Sequence, residues 1–210
     1  MDESKENRKI ETKELVRQYL KRKYPDAQFS DIDLDFLVRY SVKKEPSANT
    51  ILKSIGNDIQ TEQAYYNAHP AVKAAKDDLQ YIYGRFSQKQ KDYKNAFNGS
   101  FEAFLAWWCE KTPENGIRHC CYCGTDENTL KDAFKNGLVI SKKPYFSGEL
   151  QIERKDPDGD YCDSNCEFAC VICNNAKSDM ISAEDFTKFF VPGIKEYWKH
   201  IEEKIKEKNS

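Results

Sequence analysis

Four cysteines in two well-separated pairs are the clearest chemical feature of this sequence. Cys120 and Cys123 are separated by two residues, and Cys170 and Cys173 repeat that spacing. Two residues between thiolates let both sulfurs reach one tetrahedral Zn²⁺ at about 2.3 Å, and two such pairs complete a four-sulfur site. A closed site of this kind has no open position for chemistry, so we expect a structural zinc ion that holds other residues in place.

The other cysteines leave alternatives open. None of the eight cysteines precedes Cys109, and we expect Cys109 itself to lie in the core. A cytosolic chain keeps its thiols reduced, so C-x-x-C pairs are more typical of metal ligands than of disulfides, with buried free thiols as the alternative. Cys166, four residues before Cys170, could supply one of the four zinc ligands instead. His119 is either a further ligand or a packing residue, and we prefer packing.

A second group of candidate residues lies between the two pairs. The segment ELQIER, residues 149–154, has the character of a strand and ends on Glu153 and Arg154. A Pro-Asp-Gly turn then leads to Tyr161. None of the three histidines lies in this segment, so a reaction that needs a base must find another residue.

Residues 149–179 resemble the ββα-metal motif of the HNH nuclease superfamily. In that family a strand ends in an acid–His pair, a loop and an asparagine follow, and a C-x-x-C-N-x-x-K segment opens a helix. Glu153 matches the acid, Asn165 the middle asparagine, and Asn174 and Lys177 the helix segment. The upstream RHCCYCGT matches the other cysteine pair.

Arg154 stands where the family usually has histidine. This chain resembles a rare-cutting restriction enzyme of this superfamily in two further features. One is the acid–Arg pair followed by Gly-x-Tyr, and the other is the FLAW segment at residues 104–107. The resemblance covers roughly residues 100–190, which leaves the N-terminal hundred residues unexplained.

The resemblance implies a role for each matched residue. Glu153 and Asn174 are expected to bind a catalytic Mg²⁺ or Mn²⁺, a hard cation that prefers oxygen ligands. Asn165 is expected to fix the loop by bonding to its backbone. Arg154 cannot act as a base but suits a phosphate oxygen, so it is cast as a clamp on the scissile group. Tyr161 is expected to attack directly or to deprotonate a water, with Asp156, Asp158 and Asp160 as less favoured alternatives.

Contact with DNA requires a local basic patch, because the formal net charge is −2. Residues 73–94 interleave lysines and arginine with aromatic residues, and Arg85, Lys89 and Lys91 are the expected DNA contacts. The alternative is a solvated helix face. Lys177 is expected to touch phosphate or to be a solvated helix lysine.

These features together predict an α+β fold. We expect a helical N-terminal region over residues 1–98, for specificity, DNA contact or assembly. A zinc-stabilised ββα-metal module and C-terminal helices follow over residues 99–210. The first residues are charged and no apolar run is long enough for a membrane span, so we expect a soluble cytoplasmic protein. Helices are predicted over residues 10–24, 30–42, 72–86, 168–179, 182–190 and 194–205, near 51–55 and after Ser100. Ser30 and Ser100 are expected N-caps, and Ser182 with Asp185 resembles a capping box. Pro192 and Gly193 are expected to separate the last two helices.

The favoured function is an HNH endonuclease that cleaves double-stranded DNA, and the resemblance favours a type II restriction enzyme. That class implies a homodimer and a cognate methyltransferase. A phage-defence effector, with its defence-system partners, or a homing-type nuclease would have the same site. A non-catalytic zinc-bearing DNA-binding module is the competing class, and the reduced-thiol pattern disfavours a secreted nuclease toxin.

Overall fold

A computed structural model describes residues 3–41, 61–141 and 148–209, and the helical turn expected near residues 51–55 lies outside them. The chain divides into two compact units, Met1–Gly116 and Ile117–Ser210. This division falls later than the expected boundary between residues 98 and 99, because the helix that begins at Phe101 packs within the first unit. No helix in the described ranges combines the length and apolarity that a bilayer crossing requires.

The described part of the first unit is helical. Its elements are α1 (Glu3–Lys23), α2 (Asp31–Ser41), α3 (Glu62–Ala68), α4 (Pro70–Asp92), a 3₁₀ turn (Ala96–Gly99) and α5 (Phe101–Glu110). Helix α1 packs against α2 and α5, and α2 also packs against α4. The aromatic cluster Phe97, Phe104 and Trp107 forms the core around α5, with ring centroids 4.9–5.6 Å apart.

Polar residues fix the ends of these helices as the sequence predicts. The Ser100 hydroxyl accepts a hydrogen bond from the Ala103 amide, which makes Ser100 the N-cap of α5. The Ser30 hydroxyl accepts one from the Asp33 amide at the start of α2. Arg22 donates to the backbone oxygens of Cys109 and Thr112, so the basic end of α1 satisfies carbonyls at the end of α5.

The second unit carries both cysteine pairs. Its elements are α6 (Glu127–Lys135), β1 (Gln151–Arg154), β2 (Cys166–Ala169), α7 (Val171–Lys177), α8 (Ala183–Phe189) and α9 (Val191–Asn209). The long helix α9 packs against α6, α7 and α8. The side chains of Phe186 from α8 and Trp198 from α9 are fully buried.

Two boundaries in this unit differ from the predicted ones. The helix expected from residue 168 begins at Val171, because Cys166–Ala169 is the second strand of the sheet. The predicted break at Pro192 and Gly193 occurs at Phe190 instead, and Pro192 lies in the first turn of α9, where a missing amide proton costs no hydrogen bond. Ser182 caps α8 as predicted, with its hydroxyl accepting from the Asp185 amide at 3.0 Å.

The sheet is a two-stranded antiparallel hairpin. Glu153 lies opposite Glu167, and Arg154 lies opposite Cys166. Side chains alternate across a strand, so Glu153 shares one face with Gln151, two residues earlier. The hairpin therefore has two polar side chains, Gln151 and Glu153, side by side on one face.

Candidate active site

The four predicted zinc ligands form one buried cluster. The sulfurs of Cys120, Cys123, Cys170 and Cys173 all lie within 4.8 Å of one another. The sulfurs of Cys123 and Cys170 are 3.7 Å apart, close to the separation of about 3.8 Å that tetrahedral Zn–S bonds of about 2.3 Å require. Four soft sulfur donors at this spacing fit Zn²⁺. Cys109 is buried in the first unit, as predicted, where burial raises its pKa to about 12.

The backbone around each pair supports the cluster. Gly124 adopts a φ of +81°, a value that favours glycine, and its amide donates to the Cys120 oxygen at 2.9 Å. The Thr125 hydroxyl lies 3.3 Å from the Cys123 sulfur. The Cys170 sulfur is the N-cap of α7 and accepts from the Cys173 amide. If the sulfurs are thiolates bound to a cation, the Thr125 hydroxyl and the Cys173 amide can donate hydrogen bonds to them.

The cluster sets the position of α7 against β1. Asn174 follows the last cysteine, and its side-chain amide donates to Gln151 Oε1 at 2.5 Å. Because the side-chain nitrogen of Asn174 makes this hydrogen bond, the Asn174 Oδ1 is the atom that could bind a cation. Because Gln151 and Glu153 share a strand face, Asn174 and Glu153 lie on the facing surfaces of α7 and β1. A metal ion held by both side chains would have to lie between these two surfaces.

Glu153 is nearly buried and paired with a lysine. Its Oε1 lies 2.8 Å from Nζ of Lys177, one turn beyond Asn174, and 3.5 Å from the Tyr122 hydroxyl. Burial raises the pKa of the Glu153 carboxyl, while Lys177 and Arg154 act to lower it. The expectation that Lys177 contacts phosphate or is solvated is corrected here: the side chain is fully buried because α7 packs its last turn on β1.

Asn165 holds the loop between the strands. Its Oδ1 accepts from the Asp156 amide at 2.9 Å, and its Nδ2 donates to the oxygens of Asp156 and Asp160. A Cβ at Gly159 would lie 2.7 Å from that nitrogen, so the close approach requires glycine. These are the loop-fixing hydrogen bonds that the sequence predicts for Asn165.

Arg154 and Tyr161 meet in this loop. The Arg154 guanidinium lies 4.8 Å from the centroid of the Tyr161 ring and donates to the Gly159 oxygen at 3.0 Å. A cation over an aromatic face is an attractive contact. The positive charge of Arg154 thus lies beside both Tyr161 and, along the strand, Glu153.

The remaining predicted residues lie elsewhere. His119 does not pack as expected: its ring is exposed and bonds the Gly124 oxygen at 3.1 Å, outside the cysteine cluster. Arg85, Lys89 and Lys91 belong to α4 of the first unit, where Arg85 and Lys89 are half-buried and Lys91 is exposed.

Two residues that lie at the site, Gln151 and Tyr122, were not predicted from the sequence. Gln151 could have been found, because strand alternation places it on the face of Glu153. Tyr122 carries no such signal. It lies between two zinc-ligand positions, packs against Phe186 at 5.1 Å and points its hydroxyl at Glu153.

Comparisons with known proteins give one finding. No protein-family model matches the sequence, and the search among curated proteins finds no match. Among solved structures, part of the chain is similar to the rare-cutting HNH restriction endonuclease PacI. The sequence identity is 25%, the similarity covers 57% of this chain and 78% of that chain, and the TM-score is 0.45.

Proposed function

We propose that this chain is a metal-dependent HNH endonuclease that hydrolyses DNA phosphodiester bonds. The observation that carries the proposal is that α7, which begins at the cysteine cluster, packs on β1 with Asn174 bonded to Gln151, two residues before Glu153 on the same strand face. A buried carboxylate needs a paired cation or a metal ion, and Glu153 has Lys177 as its partner in this structure.

Each site residue then has a defined task. A bound Mg²⁺ or Mn²⁺ would neutralise the charge that develops on the phosphate and the leaving oxygen. Glu153 and Asn174 supply oxygen ligands for it. Arg154 would orient the scissile phosphate with its guanidinium. Tyr161, whose ring lies 4.8 Å from that guanidinium, would provide the attacking or proton-accepting oxygen. Asn165 keeps the loop in the shape that brings Arg154 and Tyr161 together.

The surface of α4 is the proposed DNA contact in the first unit. Tyr81, Arg85 and Lys89 recur every four residues and so share one helix face, and Tyr93 follows just past the helix end. Arg85 lies 5.9 Å from the Tyr81 ring, and Lys89 lies 6.0 Å from the Tyr93 ring. Two cations flanked by aromatic rings suit a phosphate backbone and its bases.

Supercoiled plasmid and Mg²⁺ test the activity. Wild type is expected to nick or linearise the plasmid, and Glu153→Gln is expected to lose cleavage while binding DNA as before. Glu203→Gln, an exposed acid on α9, is the matched control and should cut like wild type. Cleavage by Glu153→Gln at the wild-type rate would contradict the proposal.

The role of Tyr161 has its own test. Tyr161→Phe removes only the hydroxyl and should reduce cleavage by about 10²-fold or more, the size of effect typical of a lost general base or nucleophile. Tyr197→Phe changes an exposed tyrosine of α9 and should leave the rate unchanged. Equal cleavage by both variants would reject the Tyr161 mechanism and leave the nuclease assignment intact.

The finer proposal is a type II restriction enzyme of the PacI type, acting on double-stranded DNA as a homodimer alongside a cognate methyltransferase. The acid–Arg pair and the Gly-x-Tyr loop of the sequence support it. Sequencing the cleaved ends of a random-sequence library separates the alternatives. One defined site supports restriction, whereas dispersed ends support a phage-defence nuclease.

One observation favours a second function, a non-catalytic zinc-bearing DNA-binding module. Lys177 occupies the carboxylate that a catalytic cation needs. Wild type that binds DNA but cuts no substrate with either Mg²⁺ or Mn²⁺ would support this module and reject the enzyme.

A further inference from the structure

Lys177 is enclosed against the carboxylate that the proposed reaction needs. Its side chain is 0% exposed, and that of Glu153 is 5% exposed. Besides the 2.8 Å contact with Glu153 Oε1, Nζ donates to the backbone oxygens of Arg154 at 3.1 Å and Ser178 at 3.4 Å. An ammonium has three protons, so each one has an acceptor. Lys177 is therefore a fully bonded internal cation.

The backbone beyond Lys177 adopts a costly conformation that places one of these acceptors. Ser178 has a φ of +55° and a ψ of −149°, close to a region that is almost exclusive to glycine. It still donates its amide to the Asn174 oxygen at 3.1 Å, and its own oxygen faces Nζ of Lys177. Strain of this kind persists only where surrounding contacts enforce it. The ammonium is one of those contacts.

Two cations cannot share this carboxylate without strong repulsion, because both would lie in a poorly solvated site. We propose that Lys177 is the resident cation of Glu153 and competes with the divalent ion for it. The ion binds when the ammonium leaves Oε1. This inference rests on the proposed function, since it takes Glu153 as a ligand of the catalytic cation. Displacement is feasible because a lysine side chain is long and flexible and its other two partners are neutral carbonyls.

Binding of Mn²⁺ to the zinc-loaded protein tests the competition without any assay of cleavage. Free Mn²⁺ is followed by electron paramagnetic resonance during a titration. Lys177→Met keeps the length of the side chain and removes its charge, so it is expected to bind Mn²⁺ at least tenfold more tightly than wild type. Lys177→Arg keeps the charge and should bind no more tightly. Wild-type or weaker affinity in Lys177→Met overturns the proposal.

Wild-type protein gives a second readout, which is needed because Lys177→Met leaves Glu153 buried without its partner and risks unfolding. Amine acetylation is measured by mass spectrometry with and without saturating Mg²⁺. Lys177 is expected to be protected without the ion and to react at least threefold faster with it. Lys204, exposed on α9, is the internal control and should react equally in both. Unchanged protection of Lys177 at saturating Mg²⁺ overturns the proposal.

Glu153→Gln separates this inference from the proposed function. If that variant binds Mn²⁺ as tightly as wild type, Glu153 is not a ligand, and the metal site of the proposed nuclease fails together with the competition. If it loses binding while Lys177→Met gains none, only the competition is wrong.

Discussion

The two units of this chain are stabilised by different means. The first has long helices, α1 over Glu3–Lys23 and α4 over Pro70–Asp92, and a continuous cluster of large aromatic side chains. In the second, the elements that carry the site are strands of four residues and a helix of seven. Strands and helices this short are marginal alone in water. From this difference we expect the site to depend on a cross-link through the cysteine sulfurs more than on buried apolar surface.

Loss of zinc should have the largest effect, because it should unfold the site in the second unit and leave the first unit folded. Cys173→Ser, or chelation of wild type, removes the link between the cysteine pairs, and structural zinc in small domains supplies about 10 kcal/mol or more. Hydrogen exchange should rise throughout residues 151–177 and stay low in residues 70–110. Metal analysis must show loss of zinc from Cys173→Ser. Intact protection of residues 151–177 without zinc would refute a structural role for the cluster.

Truncation of an aromatic core residue in the first unit should destabilise that unit and leave the zinc-bearing unit unaffected. Trp107→Ala leaves a large cavity in the first unit and should lower its free energy of unfolding by about 3–5 kcal/mol. Zinc content should be unaffected. Trp198→Ala is the matched truncation in the second unit and should raise exchange there instead. Denaturant melts followed by hydrogen exchange separate the two, and equal effects of both variants on both units would remove the distinction.

Glu153 connects stability to function in the second unit. Glu153→Ala leaves the buried ammonium of Lys177 uncompensated, which should cost about 3–5 kcal/mol. The double variant Glu153→Leu, Lys177→Met removes both charges and should regain most of that loss while remaining inactive. Urea melts of the zinc-loaded proteins measure both values. A Glu153→Ala protein as stable as wild type would show that the ion pair is not buried as described.

Ser178→Gly is expected to have the smallest effect and the opposite sign. Glycine adopts the Ser178 conformation without strain, so the free energy of unfolding should rise by about 1 kcal/mol. Ser182→Gly, at an ordinary N-cap with extended backbone, should lose a few tenths of a kcal/mol. Thermal melts of the two variants compare them. Destabilisation by Ser178→Gly would mean that the hydroxyl contact with Asp179 outweighs the strain.

Local rules predicted much of this molecule from sequence. The C-x-x-C spacing identified the four sulfurs, and side-chain capping identified the starts of α5 at Ser100 and α8 at Ser182. The resemblance implied a second strand, but the residues did not locate β2, because four residues are too few to show a period and they run directly into Cys170.

Long-range packing decided the rest. Lys177 resembles a surface lysine in sequence, and only the seating of α7 on β1 buries it against Glu153. Tyr122 reaches the same carboxylate from the segment between Cys120 and Cys123 and packs on Phe186. Neither contact follows from the spacing of residues along the chain, because each depends on how separate elements meet.

Anomalous diffraction from crystals of the zinc-loaded protein soaked with Mn²⁺ tests directly whether Glu153 and Asn174 bind one cation. We expect a zinc peak among the four cysteine sulfurs and a separate manganese peak within bonding distance of oxygens from both Glu153 and Asn174, with Lys177 Nζ moved away from Oε1. A manganese peak bound elsewhere, or Glu153 still paired with Lys177 at saturating Mn²⁺, would contradict it.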